Sequence, residues 1–210
     1  MFKQELIDRF HRTLLGNVLE GYRIKKAHQR WLSKGKPGTV SHVVKQRTIK
    51  TFAQQYKIRV FIETGTYLGD MVAALSNDFD KIYSIELNED LFKQAEKKFA
   101  GLEHITIVFG DSAQVMPEIL RQIYVPCLFW INAHYSEGIT AMGKKETPIL
   151  EELRHICEHP INNHVVLIGD ASLFIGKNDY PSMESIKGFI NNRFPGYIFN
   201  VYDDIIRIYK

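Results

Sequence analysis

The chain is expected to fold as a doubly wound α/β domain, a mostly parallel seven-stranded sheet with a C-terminal antiparallel hairpin, preceded by N-terminal helices. Three observations predict this. From Lys57 onward, short β-branched and aromatic runs alternate with stretches of helical periodicity. Such alternation means parallel strands joined by right-handed crossovers, with helices on both faces. The end of the chain departs from the pattern, since residues 197–202 and 205–209 flank Asp203-Asp204 as two strands about a tight turn. The beginning departs from it too. Residues 1–57 hold 13 Lys and Arg against three acids, whereas the rest carries a net −7, the split of a basic segment on an acidic domain. With 210 residues, the division expected is a basic helical segment, 1–56, and one domain, 57–210.

Each element follows from its pattern. Leu6, Phe10, Leu14, Val18, Tyr22, Ala27 and Trp31 recur at helical spacing until Ser33-Lys34-Gly35-Lys36-Pro37-Gly38 interrupts them. A second helix is expected over 41–56. Parallel strands are expected at 59–63, 81–86, 105–109, 127–132 and 164–169. The intervening helices are expected at 70–77, 89–99, 112–122, 147–157 and 181–193.

Composition narrows the class. The chain is 45% hydrophobic and 24% charged, the balance of a globular protein. Apolar runs such as Cys127-Leu128-Phe129-Trp130-Ile131 fall far short of the roughly 18–20 residues of a membrane span. Lys3, Glu5, Asp8 and Arg9 interrupt any secretory apolar core. Cys127 and Cys157 are too few for a disulfide framework or a cysteine zinc site. A cytoplasmic location is the expectation. The basic segment reads as a solvated or docking face, a homodimer contact through the N-terminal helices, or a site for an anionic partner.

Ligands of open α/β sheets bind beyond the carboxyl ends of the strands, where strand order reverses. The first strand runs into Glu63-Thr64-Gly65-Thr66-Tyr67-Leu68-Gly69-Asp70. Its Glu-x-Gly-x-x-x-Gly spacing is not the Gly-x-Gly-x-x-Gly of dinucleotide binders. Carboxylates flank the turn, which disfavours a pyrophosphate at the helix N-terminus and suits a cationic ligand. Glu86 ends the second strand, 23 positions after Glu63, where an acid accepts from ribose hydroxyls. The third strand ends in Phe109-Gly110-Asp111-Ser112, in which Asp111 suits an adenine amino group or, taken alone, an ordinary helix cap.

These residues resemble the class I S-adenosylmethionine-dependent methyltransferases, and the terminal hairpin is similar to that family's. The resemblance covers 57–210, a Rossmann-like domain, and leaves the basic segment aside. It implies S-adenosylmethionine as cofactor. It places Glu63, Gly65, Thr66 and Gly69 at the methionine part, Glu86 at the ribose, and Asp111 and Ser112 at the adenine, with Asn132 completing the cofactor set.

Beyond the fourth and fifth strands lie Asn132-Ala133-His134-Tyr135 and Gly169-Asp170, where the methyl acceptor is expected. This part resembles small bacterial methyltransferases of the macrocin O-methyltransferase type, implying a small-molecule acceptor such as a sugar hydroxyl. Relatives of that kind hold Mg²⁺ with an Asp after the fourth strand and an Asp pair after the fifth. An amide and a glycine here weaken a hard-cation site, so no metal ligand is assigned. His134 is the candidate general base, Asp170 the second candidate or its orienting partner, and Tyr67 and Tyr135 candidates to face a sulfonium. The loop 136–145, with Lys144 and Lys145, is expected to close over the acceptor. His155 and His159 read as a solvated helix end.

Three alternatives stand beside this reading. A nucleic-acid methyltransferase would use the basic segment, although Asn132-Ala133-His134-Tyr135 lacks the paired prolines of amino-methylating enzymes. A nicotinamide-linked oxidoreductase is disfavoured by the glycine spacing. The last is a methyltransferase-like fold kept as a binding or assembly module.

Overall fold

The structure is a computed structural model that describes residues 22, 26, 29–35, 40–132, 147–177 and 179–210. The expected helical repeat over the first 21 residues, and His134, Tyr135, Lys144 and Lys145, lie outside the described residues. The element order is α1 (His42–Gln55), β1 (Val60–Thr64), α2 (Asp70–Leu75), β2 (Lys81–Glu86), α3 (Glu89–Phe99), β3 (Ile105–Phe109), α4 (Ser112–Leu120), β4 (Cys127–Ile131), α5 (Ile149–Glu158), β5 (Val165–Ile168), α6 (Met183–Arg193), β6 (Ile198–Tyr202) and β7 (Ile205–Tyr209). Among the described residues, no helix is long and apolar enough to cross a membrane.

The seven strands form one sheet in the order β3-β2-β1-β4-β5-β7-β6. β1 to β5 run parallel, and β7 is antiparallel to both β5 and β6. The expected doubly wound sheet with its terminal hairpin is what forms. Asp203 and Asp204 both take positive φ, the backbone of a two-residue hairpin turn that matches strand twist. Helix ends differ from expectation by a residue or two. α5 begins after Pro148 because proline is tolerated at a helix start and not within one.

Period-two alternation gives every central strand two apolar faces. Phe61, Ile82, Leu128, Trp130, Val165 and Leu167 pack under α1, α2 and α3. Ile62, Ile85, Phe129, Ile131, Val166 and Ile168 pack under α4, α5 and α6. Helix α1 lies within the basic segment, yet its Val44, Ile49, Phe52 and Ala53 share the first of these cores.

His155 of α5 and His159 just beyond it are bonded into the fold, which corrects the solvated reading. Pro117 stands inside α4 and has no N–H for the Ala113 carbonyl four residues back. His155 Nε2 lies 2.9 Å from that carbonyl oxygen and donates to it. At the opposite end of the sheet from the site, the Cys127 N–H donates to His164 Nδ1 at 2.9 Å. The His164 proton therefore sits on Nε2 and is donated to His159 Nδ1 at 2.9 Å. His159 Nε2 in turn donates to the Leu120 carbonyl at 3.0 Å. Burial lowers His164 to about 4.

Candidate functional site

Strand order reverses between β1 and β4, so the crevice beyond their carboxyl ends is where an open sheet binds ligands. The β1–α2 turn starts there. The N–H groups of Gly65 and Thr66 both reach the Ile85 carbonyl of β2, at 2.9 and 3.2 Å. Gly69 precedes α2 in the left-handed conformation, and a Cβ there would sit 2.8 Å from the Phe99 ring of α3. That second glycine is required by backbone and packing, in addition to any ligand.

Glu63 is placed differently from the sequence expectation of a carboxylate flanking the crevice. It pairs across the sheet with Ser84 and is buried, its Oε2 accepting from Ser84 Oγ at 2.6 Å. Thr66 Oγ1 joins the same group, 2.7 Å from Ser84 Oγ. Burial pushes the Glu63 carboxyl up to about 8, against the Ser84 hydrogen bond, with the Glu86 charge adding to the rise. At neutral pH Glu63 is thus mostly an uncharged acid beneath the turn.

Glu86 is at the tip of β2. Its Oε2 accepts the Tyr67 N–H at 2.7 Å and its Oε1 the Asn88 N–H at 2.9 Å. One side chain thereby fixes the β1–α2 turn, where Tyr67 holds a positive φ, to the start of α3. Each carboxylate oxygen retains acceptor capacity for a further donor. Asn88 supplies the α3 cap itself, accepting from the Asp90 and Leu91 N–H groups, so capping does not explain Glu86. Asp70 is exposed and 3.4 Å from Lys98 Nζ, which also donates to the Leu68 carbonyl.

Asp111 caps α4, accepting from the Ala113 N–H at 3.0 Å. Ser112 is buried, and its hydroxyl donates to Glu152 Oε1 at 2.6 Å. The sequence reading missed Glu152. Its signal was the phase of α5, because Ile149, Leu153 and Ile156 form the buried face and position 152 falls on it.

At the tip of β4 the Asn132 N–H reaches both the carbonyl and the hydroxyl oxygen of Thr64 at 3.2 Å. Among the described residues, the buried Asn132 Oδ1 has no hydrogen-bond partner. A Cβ at position 169 would collide with that oxygen and approach the Trp130 ring within 3.1 Å, so glycine is what leaves room for the Asn132 amide. Asp170 follows in the left-handed conformation. Its Oδ1 lies 2.7 Å from Lys45 Nζ of α1, and the two side chains are 10% and 9% exposed. Lys45 also stands 5.7 Å from the Trp130 ring centre. A divalent ion does not fit this donor set. The Asp170 carboxylate already carries an ammonium, and its neighbours along the strand tips are an amide and a glycine.

The described crevice thus brings together Gly65, Thr66, Glu86, Asp111, Ser112 and Asn132 at neighbouring strand ends, puts Glu63 and Gly69 in support beneath, and ties Asp170 to α1. No protein-family model matches the chain, and no curated protein matches it in sequence. Solved structures do match in fold. One is the O-methyltransferase TomG from Streptomyces achromogenes, involved in tomaymycin synthesis and in complex with S-adenosylmethionine. It shows 15% identity, covers 89% of each chain and has a TM-score of 0.59. Another is the O-methyltransferase from Bacillus cereus in complex with S-adenosylhomocysteine, at 13% identity over 100% of each chain and a TM-score of 0.57. The match to the S-adenosylhomocysteine-bound methyltransferase PaMTH1 of Podospora anserina covers 91% of this chain and 87% of that one, at 12% identity and a TM-score of 0.53. Five parallel strands, a reversed terminal hairpin and three helices on each face give this chain the fold of class I methyltransferases.

Proposed function

We propose that this chain is an S-adenosylmethionine-dependent methyltransferase acting on a small-molecule acceptor, a hydroxyl of a sugar or sugar-containing metabolite. Glu86 is the observation that carries the reading. It binds the glycine turn to the tip of β2 at the switch point and keeps lone pairs to accept from vicinal hydroxyls. The donor set fits a nucleoside with a cationic tail, since Glu86 and Asp111 border the crevice and no pyrophosphate-binding glycine pattern is present.

In this reading Glu86 holds the ribose, Asp111 and Ser112 the adenine edge, and Gly65, Thr66 and Asn132 border the methionine end, with Glu63 and Gly69 shaping the turn from below. The bound cofactor supplies an electrophilic methyl group. The chain's own work is to align the acceptor and exclude water. His134 is assigned removal of the acceptor proton. Asp170, already engaged by Lys45, is assigned an orienting role.

Calorimetry with S-adenosylhomocysteine tests the proposal. Binding by the native chain, weakened at least about tenfold in Glu86→Ala, is the expected result. Absence of heat at millimolar ligand would overturn it. Equal affinity in native chain and Glu86→Ala would instead favour a binding or assembly role, a reading to which the Lys45–Asp170 pair across the acceptor side lends support.

A further inference from the structure

Glu152 does something that packing does not require. It sits on the apolar face of α5 between Ile149, Leu153 and Ile156, fully buried. Its Oε1 accepts from Ser112 Oγ at 2.6 Å and the Thr64 hydroxyl also reaches the carboxyl, whereas among the described residues its buried Oε2 has no hydrogen-bond partner of good geometry. A buried carboxyl with a vacant oxygen opposes folding where a leucine would favour it. Burial pushes Glu152 up to about 7, the Ser112 and Thr64 hydroxyls pull it down, and the Asp111 charge pushes it up again. Thr64 in turn accepts the Asn132 N–H. Glu152 therefore lies below the switch point, with the first turn of α4 on one side and the tips of β1 and β4 on the other.

We propose that Glu152 is a positioning residue of the cofactor site, which sets Ser112 and the first turn of α4 for the adenosyl group and makes affinity depend on its own proton. The inference rests on the reading that the site binds S-adenosylmethionine. With its proton, Glu152 has an O–H to offer from the otherwise vacant oxygen. Without it, a second negative charge stands beside Asp111 under the nucleoside end and turns the α4 start away from its cap geometry. The titratable groups near it are Asp111, from the β3–α4 junction, and His155, three residues on along α5, whose Nε2 donates to the Ala113 carbonyl. Glu63 also titrates toward neutral pH, but on the other face of the sheet.

The test is S-adenosylhomocysteine affinity by calorimetry at about pH 6 and about pH 8, with circular dichroism on each variant. The native chain should bind at least about fivefold more tightly at the lower pH. Glu152→Gln should bind with one affinity at both, while Glu63→Gln should keep the difference. Ser112→Ala, which preserves the buried carboxyl and removes its link to α4, should weaken binding and lose the difference. A native affinity equal at the two pH values, or a difference that survives in Glu152→Gln, overturns the proposal while leaving the cofactor reading intact. A native chain that binds at neither pH overturns the cofactor reading and this inference with it.

Discussion

Replacing Glu63 by glutamine should flatten much of the chain's loss of stability between mildly acidic and mildly basic pH. The carboxyl ionises near pH 8 in the fold and at an ordinary value of 4.5 when unfolded. Between those values the unfolded chain gives up a proton that the folded chain keeps, so stability is full below pH 4.5 and falls as pH rises to 8. At about 1.4 kcal/mol per pH step, Glu63 alone should cost roughly 3–4 kcal/mol between pH 5 and pH 8. The slope is the quantity to compare, because a glutamine amide facing Ser84 shifts the absolute stability by its own hydrogen bonding. Urea unfolding midpoints of the native chain and Glu63→Gln, taken at several pH values across this range, measure it. Glu152 contributes a smaller fall of the same sign, ending near pH 7, and remains in the variant. A Glu63→Gln protein whose stability falls as steeply as the native one would mean that Glu63 is charged in the fold, and the account of the turn would be wrong.

Other consequences follow from the same contacts. His164 ionises near 4 in the fold against an ordinary 6.5, so its contribution is present above pH 6.5 and lost toward pH 4, by roughly 3 kcal/mol; His164→Gln should remove that part of the acid-side loss in unfolding curves. His155→Phe should leave the Ala113 carbonyl unpaired and destabilise by about 1–3 kcal/mol, and adding Pro117→Ala should restore most of this by supplying the missing N–H, as a double-mutant cycle in denaturant will show. Lys45→Met should destabilise by about 3 kcal/mol or more by taking the ammonium from a buried pair, and Lys45→Met with Asp170→Asn should recover part of it in thermal unfolding.

The strands were legible because each central one is a short run rich in β-branched and aromatic residues, such as Cys127–Ile131, bounded by turn residues. The acids at strand ends were legible by position. What those acids touch was not. Glu63 reads as a flanking carboxylate until the β1–β2 register sets it against Ser84. The Lys45–Asp170 pair joins residues 125 apart, and nothing local in either segment announces the other. Glu152 hides in a Glu151-Glu152 doublet, where a one-residue difference in helical phase separates a solvated acid from a buried one. The role of Pro117 was equally invisible, since the histidine that compensates it belongs to another helix.

Helix α1 bears on how far this polypeptide can be trimmed. A shortened chain starting at Lys57, the boundary that charge alone suggests, would lose Val44, Ile49 and Phe52 from the shared core and leave the Trp130 side of the sheet bare to water. It would also strip the ammonium from Asp170. Such a fragment should self-associate through the uncovered surface, because it would lack the covering helix whose Lys45 and Lys50 serve Asp170 and Asp78 as counterions.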